Sequence, residues 1–336
     1  MDFHRLKSVL IREICGHSCY KKLFVNTSTE NQKSEFMKDL LRILIFISLP
    51  LFAQSQSNFR LIYLGGQSNM NGYGYNQDLP AEFNKTFEDV WIFQGNPAPD
   101  EADNGGLGLW AKLQPGHGAG FSSDGKSNQY SNRFGLELSL ARRLQELYPG
   151  EKIAIVKYAR GGTSIDSLAA RNFGAWEPDF RGKTGINQYD HFLTTLRGAM
   201  SVRDLDGDGR ADRLIPTAIL WMQGESDAAL GEDIAYRYYD HLKRLMDLIR
   251  AALWTDDLPV VIGKISDSWN DAADGKVWDQ AEIVQYAQEK YARTDARAAI
   301  VRSTRYYQYS DPWHYDSAGY IDLGRQFAEA IAKLRE

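Results

Sequence analysis

Leu61-Ile62-Tyr63-Leu64-Gly65-Gly66-Gln67-Ser68-Asn69-Met70 is the stretch that decides how the rest of this chain is read. A short apolar run ends in a glycine pair and then a serine, the pattern of a buried strand that stops abruptly and turns into the next element. Ser68 then sits at the carboxyl end of the strand. In an open parallel sheet ligands bind along that edge, and a hydroxyl on a tight strand-to-helix turn is exposed for nucleophilic attack. Alone, the segment is equally a capped turn whose serine only accepts a backbone N–H. Two later stretches, Trp221-Met222-Gln223-Gly224-Glu225-Ser226-Asp227 and Asp311-Pro312-Trp313-His314, tip the reading toward chemistry.

Working outward, the pattern predicts further strands over 152–159, 215–222, 258–265 and 298–302. Helices are expected over 132–148, 233–253 and 277–291, and a last one is capped by Ser317 with Tyr320, Leu323, Phe327, Ile331 and Leu334 on its apolar face. Strands alternating with helices argue for an α/β fold with a parallel sheet covered on both faces. Residues 71–128, rich in Gly, Asn, Pro and Asp but carrying Trp91, Phe93, Trp110 and Phe121, read as a packed, substrate-binding excursion. A second specificity stretch is expected over 173–190. With no internal repeat and no low-complexity linker, 58–336 reads as one domain.

The chain has 336 residues, 25% charged and 43% apolar, with a net charge of −5, and no Lys/Arg block marks a nucleic-acid surface. Residues 37–53 have a start methionine, Lys38 and Arg42, then an apolar run too short to span a membrane, followed by small and polar residues. This is the pattern of a secretory signal peptide cut after Ala53, so translation is expected to begin at Met37 and 1–36 to be a doubtful upstream extension. Both cysteines, Cys15 and Cys19, fall in that extension. The mature chain then has no thiol for a disulfide, a nucleophile or a metal, which fits a secreted or periplasmic protein.

Loops after the first three of these strands carry Ser68, Gly161-Gly162 and Gln223, and a loop before the last helix carries Asp311 and His314. All four lie on one edge of a parallel sheet. Hydrolysis by a serine needs a base, a group that orients the base, and donors for the developing oxyanion. His314 serves as base and Asp311 as its orienter, with Glu225 as the alternative orienter. The oxyanion donors are the Ser68 N–H, an N–H at Gly161 or Gly162, and the Gln223 side-chain amide. His117 and His191 read as surface residues and His241 as structural.

Gly66-Gln67-Ser68-Asn69-Met70, Gln223-Gly224-Glu225-Ser226-Asp227 and Asp311-x-x-His314 resemble the motif blocks of the sialate O-acetylesterase and acetylxylan esterase families, carbohydrate esterases of the SGNH hydrolase superfamily. The resemblance spans nearly all of the mature chain. It implies a three-layer sandwich around a five-stranded parallel sheet of flavodoxin-like order and removal of O-acetyl groups from sugars, with Gln67, Asn69 and Glu225 in support of the site and no cofactor for catalysis. Gln223 stands where other branches of the superfamily place an asparagine, and the G-x-S-x-G elbow of α/β-hydrolases is absent.

Independently, Asp204, Asp206, Asp208 and Asp212 occupy positions 1, 3, 5 and 9 of a calcium loop, with Gly209 at the sixth and Arg210 at the seventh, whereas Ile215 replaces the usual glutamate at the twelfth. A structural calcium ion is expected there, ordering the loop and through it the presentation of Gln223. The leading reading is thus a secreted carbohydrate O-acetylesterase acting on an acetylated carbohydrate, with no nucleic acid and no membrane span. Its rivals are a non-catalytic, calcium-stabilised sugar-binding protein and an acyltransferase with the same triad.

Overall fold

The computed structural model describes residues 56–100 and 102–335. The readings of 1–36 and 37–53, and with them Cys15 and Cys19, lie outside the described residues.

The first strand, β1 (Asn58–Gly66), has every residue from Leu61 to Gly66 buried, because it lies in the middle of the sheet with covered faces on both sides. It is followed by β2 (Val90–Gln94), β3 (Trp110–Lys112), β4 (Lys152–Ala159), β5 (Arg213–Met222), β6 (Val260–Gly263) and β7 (Ala298–Val301). These form a seven-stranded sheet in the order β7-β6-β5-β1-β4-β2-β3, parallel except for the antiparallel edge strand β3. The five strands expected from sequence are all present and follow the flavodoxin-like order. The sheet is wider than five because the excursion over 71–128 folds back to add β2 and β3 outside β4. Its aromatics do pack, with Phe83, Phe87, Phe93 and Phe121 buried and Phe59 edge-on to Trp91. Pro216 interrupts the β1–β5 ladder, where it has no N–H to give, and the register shifts beside it between Leu61 and Ile62.

Helix α1 (Glu137–Leu147) packs against α5 (Ser317–Arg335), α3 (Glu232–Ala252) against α4 (Ala281–Thr294), and α2 (Gln188–Ser201) against β4 and β2. Gly324 of α5 faces the backbone of Leu136 and Leu140 so closely that a β-carbon there would overlap both. The expected Ser317 cap is replaced. Asp316 Oδ1 accepts the Gly319 N–H at 2.7 Å and caps α5, while Ser317 Oγ accepts the Tyr75 N–H at 3.0 Å and so ties the excursion to the helix start.

β1 lies between β4 and β5, so the carboxyl ends of three adjacent parallel strands release their loops side by side. That is the crevice position in open α/β sheets. Among the described residues no helix is long and apolar enough to cross a membrane.

Candidate active site

β1 ends at Gly66, whose φ of +148° and close approach to Met222 leave no room for a side chain: a β-carbon would lie 2.0 Å from Met222 O. The chain turns there, Gln67 N–H donates to Met222 O at 2.9 Å, and Ser68 opens a single helical turn, Ser68–Asn71. Ser68 lines a cleft of about 540 Å³ together with Tyr73, Arg160, Gly161, Gly162, Arg171, Phe173, Trp313 and His314.

His314 lies at the same cleft, in the loop before α5. Its Nδ1 is 2.7 Å from Asp311 Oδ2, and Asp311 Oδ1 accepts the N–H groups of Trp313 and His314, each at 2.8 Å. The carboxylate thus closes its own loop and orients the ring, leaving Nε2 for the cleft. Burial lowers the His314 pKa from 6.5 and outweighs the opposing pull of Asp311. For Asp311 burial acts upward, but the bonds from His314 and the loop N–H groups dominate and hold its carboxyl below the ordinary value. The alternative orienter is set aside: Glu225 Oε1 accepts from Asn69 Nδ2 at 2.8 Å and makes no hydrogen bond to His314 among the described residues. No Ser68–His314 hydrogen bond is closed among the described residues either; catalytic bonds of this kind commonly tighten only with substrate bound.

The N–H groups of Ser68, Gly161 and Gly162 have no acceptor among the described residues. Gly161 backs directly onto Ser68, and Gly162, at φ +76°, packs under the Phe173 ring, where a β-carbon would come within 2.5 Å of it. All three residues are part of the cleft lining.

Gln223 is not. It is fully buried, outside the cleft lining, and its Nε2 is spent on Asp227 Oδ2 at 2.6 Å, Thr163 O at 3.2 Å and Gln67 Oε1 at 3.2 Å. The cause is Asp227, a buried carboxylate that gathers donors from Ile165, Asp166 and Gln223. The amide facing the cleft belongs to Gln67. Its Oε1 accepts from Gly224 N and Ser226 N, both at 3.3 Å, so two backbone donors fix which end is oxygen. Gln67 Nε2, with no acceptor among the described residues, is left to the cleft that the residue lines. Gln67 was visible in the motif, but nothing in the sequence distinguished its amide from that of Gln223.

Three further groups escaped the sequence reading. Tyr73 stacks on His314, ring centroids 3.6 Å apart and 3° from parallel, and Arg133 holds Tyr73 O at 2.8 Å. Lys157, buried within β4, bonds Asn71 O, His117 O and Glu137 Oε2 at 2.7–2.9 Å, fastening the Ser68 turn to the excursion and to α1. The one signal for it was a lysine inside an apolar strand. His117 and His191 are both buried, contrary to the surface reading: His117 Nδ1 pairs with Gln94 Oε1 at 2.8 Å, and His191, on α2, meets Tyr158. Burial, with Lys157 adding to it, pushes His117 down to about 3, which keeps it neutral.

Ligand atoms of Asp204, Asp206 and Asp208 come within 4.8 Å of one another. Their donor chemistry suits a hard cation. Asp212 instead accepts the Leu205 N–H at 2.6 Å, Arg210 pairs with Asp208 at 3.7 Å, and Lys152 pairs with Asp206. This loop lies beside Ser57 and Lys152, at the amino edge of the sheet. The ten residues of β5, about 33 Å of extended chain, separate it from Gln223, with which it makes no hydrogen bond among the described residues.

A family model described as "Carbohydrate esterase, sialic acid-specific acetylesterase" matches residues 58–333. No curated protein matches the chain in sequence. Among solved structures, a protein from Arabidopsis thaliana is similar at 19% identity and a TM-score of 0.55, covering 83% of this chain and 99% of its own. NanS is similar at 17% identity and 0.53, covering 84% and 98%. A carbohydrate acetylesterase from Xanthomonas citri is similar at 16% identity and 0.53, covering 82% of this chain and 56% of its own. At these identities the likeness is one of fold.

Proposed function

The chain belongs to the sialic acid-specific acetylesterase family of carbohydrate esterases, and from that premise we propose that it removes O-acetyl groups from sugars by a serine mechanism at the Ser68 cleft. The observation that carries this reading is the convergence on one cleft of Ser68, the Asp311-oriented His314 and four donors that have no acceptor among the described residues.

His314 Nε2 takes the Ser68 proton as Oγ attacks the acetyl carbonyl. The negative charge that forms on the carbonyl oxygen is met by the Ser68 and Gly161 or Gly162 N–H groups and by Gln67 Nε2. Collapse breaks the bond to the sugar oxygen, which leaves with the proton from His314. The acetyl-serine is then attacked by water, whose proton passes to His314 and on to Ser68 as acetate departs. Burial of His314 keeps its ring neutral near pH 7, as a base must be.

The charged residues lining the cleft are Arg160 and Arg171, both cationic in a chain of net charge −5, and neither pairs with a carboxylate among the described residues. They favour an acidic sugar as the ester bearer, with Phe173 and Trp313 offering apolar faces. Export through the 37–53 segment fits a substrate met outside the cytoplasm.

The test is acetate release from acetylated sialic acid, acetylated xylan and p-nitrophenyl acetate, with Ser68→Ala beside the wild type. The variant is expected to lose nearly all turnover at an unchanged thermal midpoint. Equal rates would leave a sugar-binding protein as the reading, and acetyl transfer to an added sugar in preference to water would make it an acyltransferase.

A further inference from the structure

Ser68 and His314 come from opposite halves of the chain, and no hydrogen bond joins them among the described residues. Their spacing must therefore be held by something else. Asn69 is 1% exposed, and its side chain uses all four of its hydrogen-bonding positions. Nδ2 donates to Trp313 O at 3.2 Å and to Glu225 Oε1 at 2.8 Å. Oδ1 accepts from Tyr315 N at 3.4 Å and from Tyr320 OH at 2.8 Å.

Two of these partners are the backbone groups on either side of His314. The third belongs to α5, into which the histidine loop runs, and the fourth to the turn after β5. Asn69 is itself the residue after Ser68, in the same helical turn. A single short amide thus grips the peptides before and after the base while its own backbone carries the nucleophile. A carboxylate has no donor for Trp313 O, and an aliphatic side chain leaves buried polar groups unpaired.

We propose that Asn69 is a positioning residue that sets the distance between Ser68 and His314, acting on the reaction through both without touching substrate. This rests on the serine mechanism above. A misplacement of about 1 Å at such a site costs about 10²-fold in rate, whereas contacts to the sugar in the cleft are untouched.

The experiment compares Asn69→Ala, Asn69→Asp and Tyr320→Phe with the wild type. It reads kcat per active site counted by acyl burst, KM, and the NMR signal of the His314 Nδ1 proton, which needs no turnover. Asn69→Ala is expected to lose about 10²-fold in kcat per counted site with KM changed less than about twofold, and to broaden the proton signal. Asn69→Asp should lose comparably, since it keeps both accepted bonds but donates neither. Tyr320→Phe, which removes one of the four bonds, should lose less than tenfold, and it serves if the other two fail to fold. Unchanged kcat per counted site, with only fewer active sites or a lower midpoint, would overturn the proposal and leave Asn69 a packing residue. A wild type that shows no esterase turnover would remove the mechanism instead, and a proton signal equally sharp in all variants would then remove the positioning role too.

Discussion

Replacing Glu225 by glutamine should flatten the pH dependence of stability between about pH 4.5 and 8. Glu225 is 1% exposed; one carboxylate oxygen accepts from Asn69, and the other, Oε2, is buried without a hydrogen-bond partner among the described residues. Burial, with Asp227 nearby adding to it, outweighs the hydrogen bonds it accepts and pushes its pKa from 4.5 up to about 7. Over that interval the folded chain keeps a proton that the unfolded chain has released. Stability is therefore fully retained below 4.5 and falls as pH rises through about 7. An interval of roughly 2.5 pH units, at about 1.4 kcal/mol each, corresponds to about 3.5 kcal/mol lost across the window. Glu225→Gln retains a carbonyl for Asn69 and removes the ionisation, so its unfolding free energy should fall by about 3.5 kcal/mol less than that of the wild type. Asp227, pushed up to about 6 chiefly by burial, adds its own fall in both proteins, which is why the difference between the two curves is the quantity to read. The assay is urea unfolding followed by tryptophan fluorescence at closely spaced pH. Parallel stability curves for the two proteins would refute a raised Glu225.

Gln67→Glu keeps the oxygen held by Gly224 and Ser226 but replaces the cleft-facing donor, so kcat should fall about 10²–10³-fold with the midpoint little changed, while Gln223→Ala should act mainly on the midpoint; the opposite pattern would return the donor role to Gln223. The pH profile of kcat/KM should rise through an apparent pKa below the ordinary histidine 6.5, because burial disfavours the charged ring, and Asp311→Asn should lose far more activity than stability. Arg160→Gln and Arg171→Gln should raise KM for an acetylated acidic sugar and leave p-nitrophenyl acetate nearly unaffected; equal losses on both would refute the anion reading. Millimolar calcium should raise the thermal midpoint, with a stability gain of about 2.7 kcal/mol at a hundredfold excess over Kd, and Asp206→Ala should abolish the rise, whereas equal midpoints in chelator and calcium would mean an acidic turn held by Lys152, Arg210 and its own backbone N–H groups.

Periodicity by itself determined the five central strands and the helices α1, α3, α4 and α5, because each buries a face against the sheet and must repeat its apolar residues at the strand or helix period, whereas α2 was not read from it. It also placed Ser68, Gly161, Gly162 and Asp311-x-x-His314 on one edge, since parallel strands all present their carboxyl ends together, and Asp311 and His314 meet within one short loop. What needed the tertiary structure was every contact between distant segments with equal local claims. Gln67 and Gln223 are both amides beside the site, and only the competition of Asp227 and the Gly224–Ser226 N–H groups for their polar ends decides which one faces the cleft. Strands β2 and β3 stayed hidden in the excursion because their pairing is fixed by the neighbours they find, and Asn69, though named beside the site, showed its contacts only in the fold because its four partners lie in three segments remote in sequence. The acidic loop shows the same division: its spacing was plain, but only the fold put it at the far edge of the sheet from the chemistry.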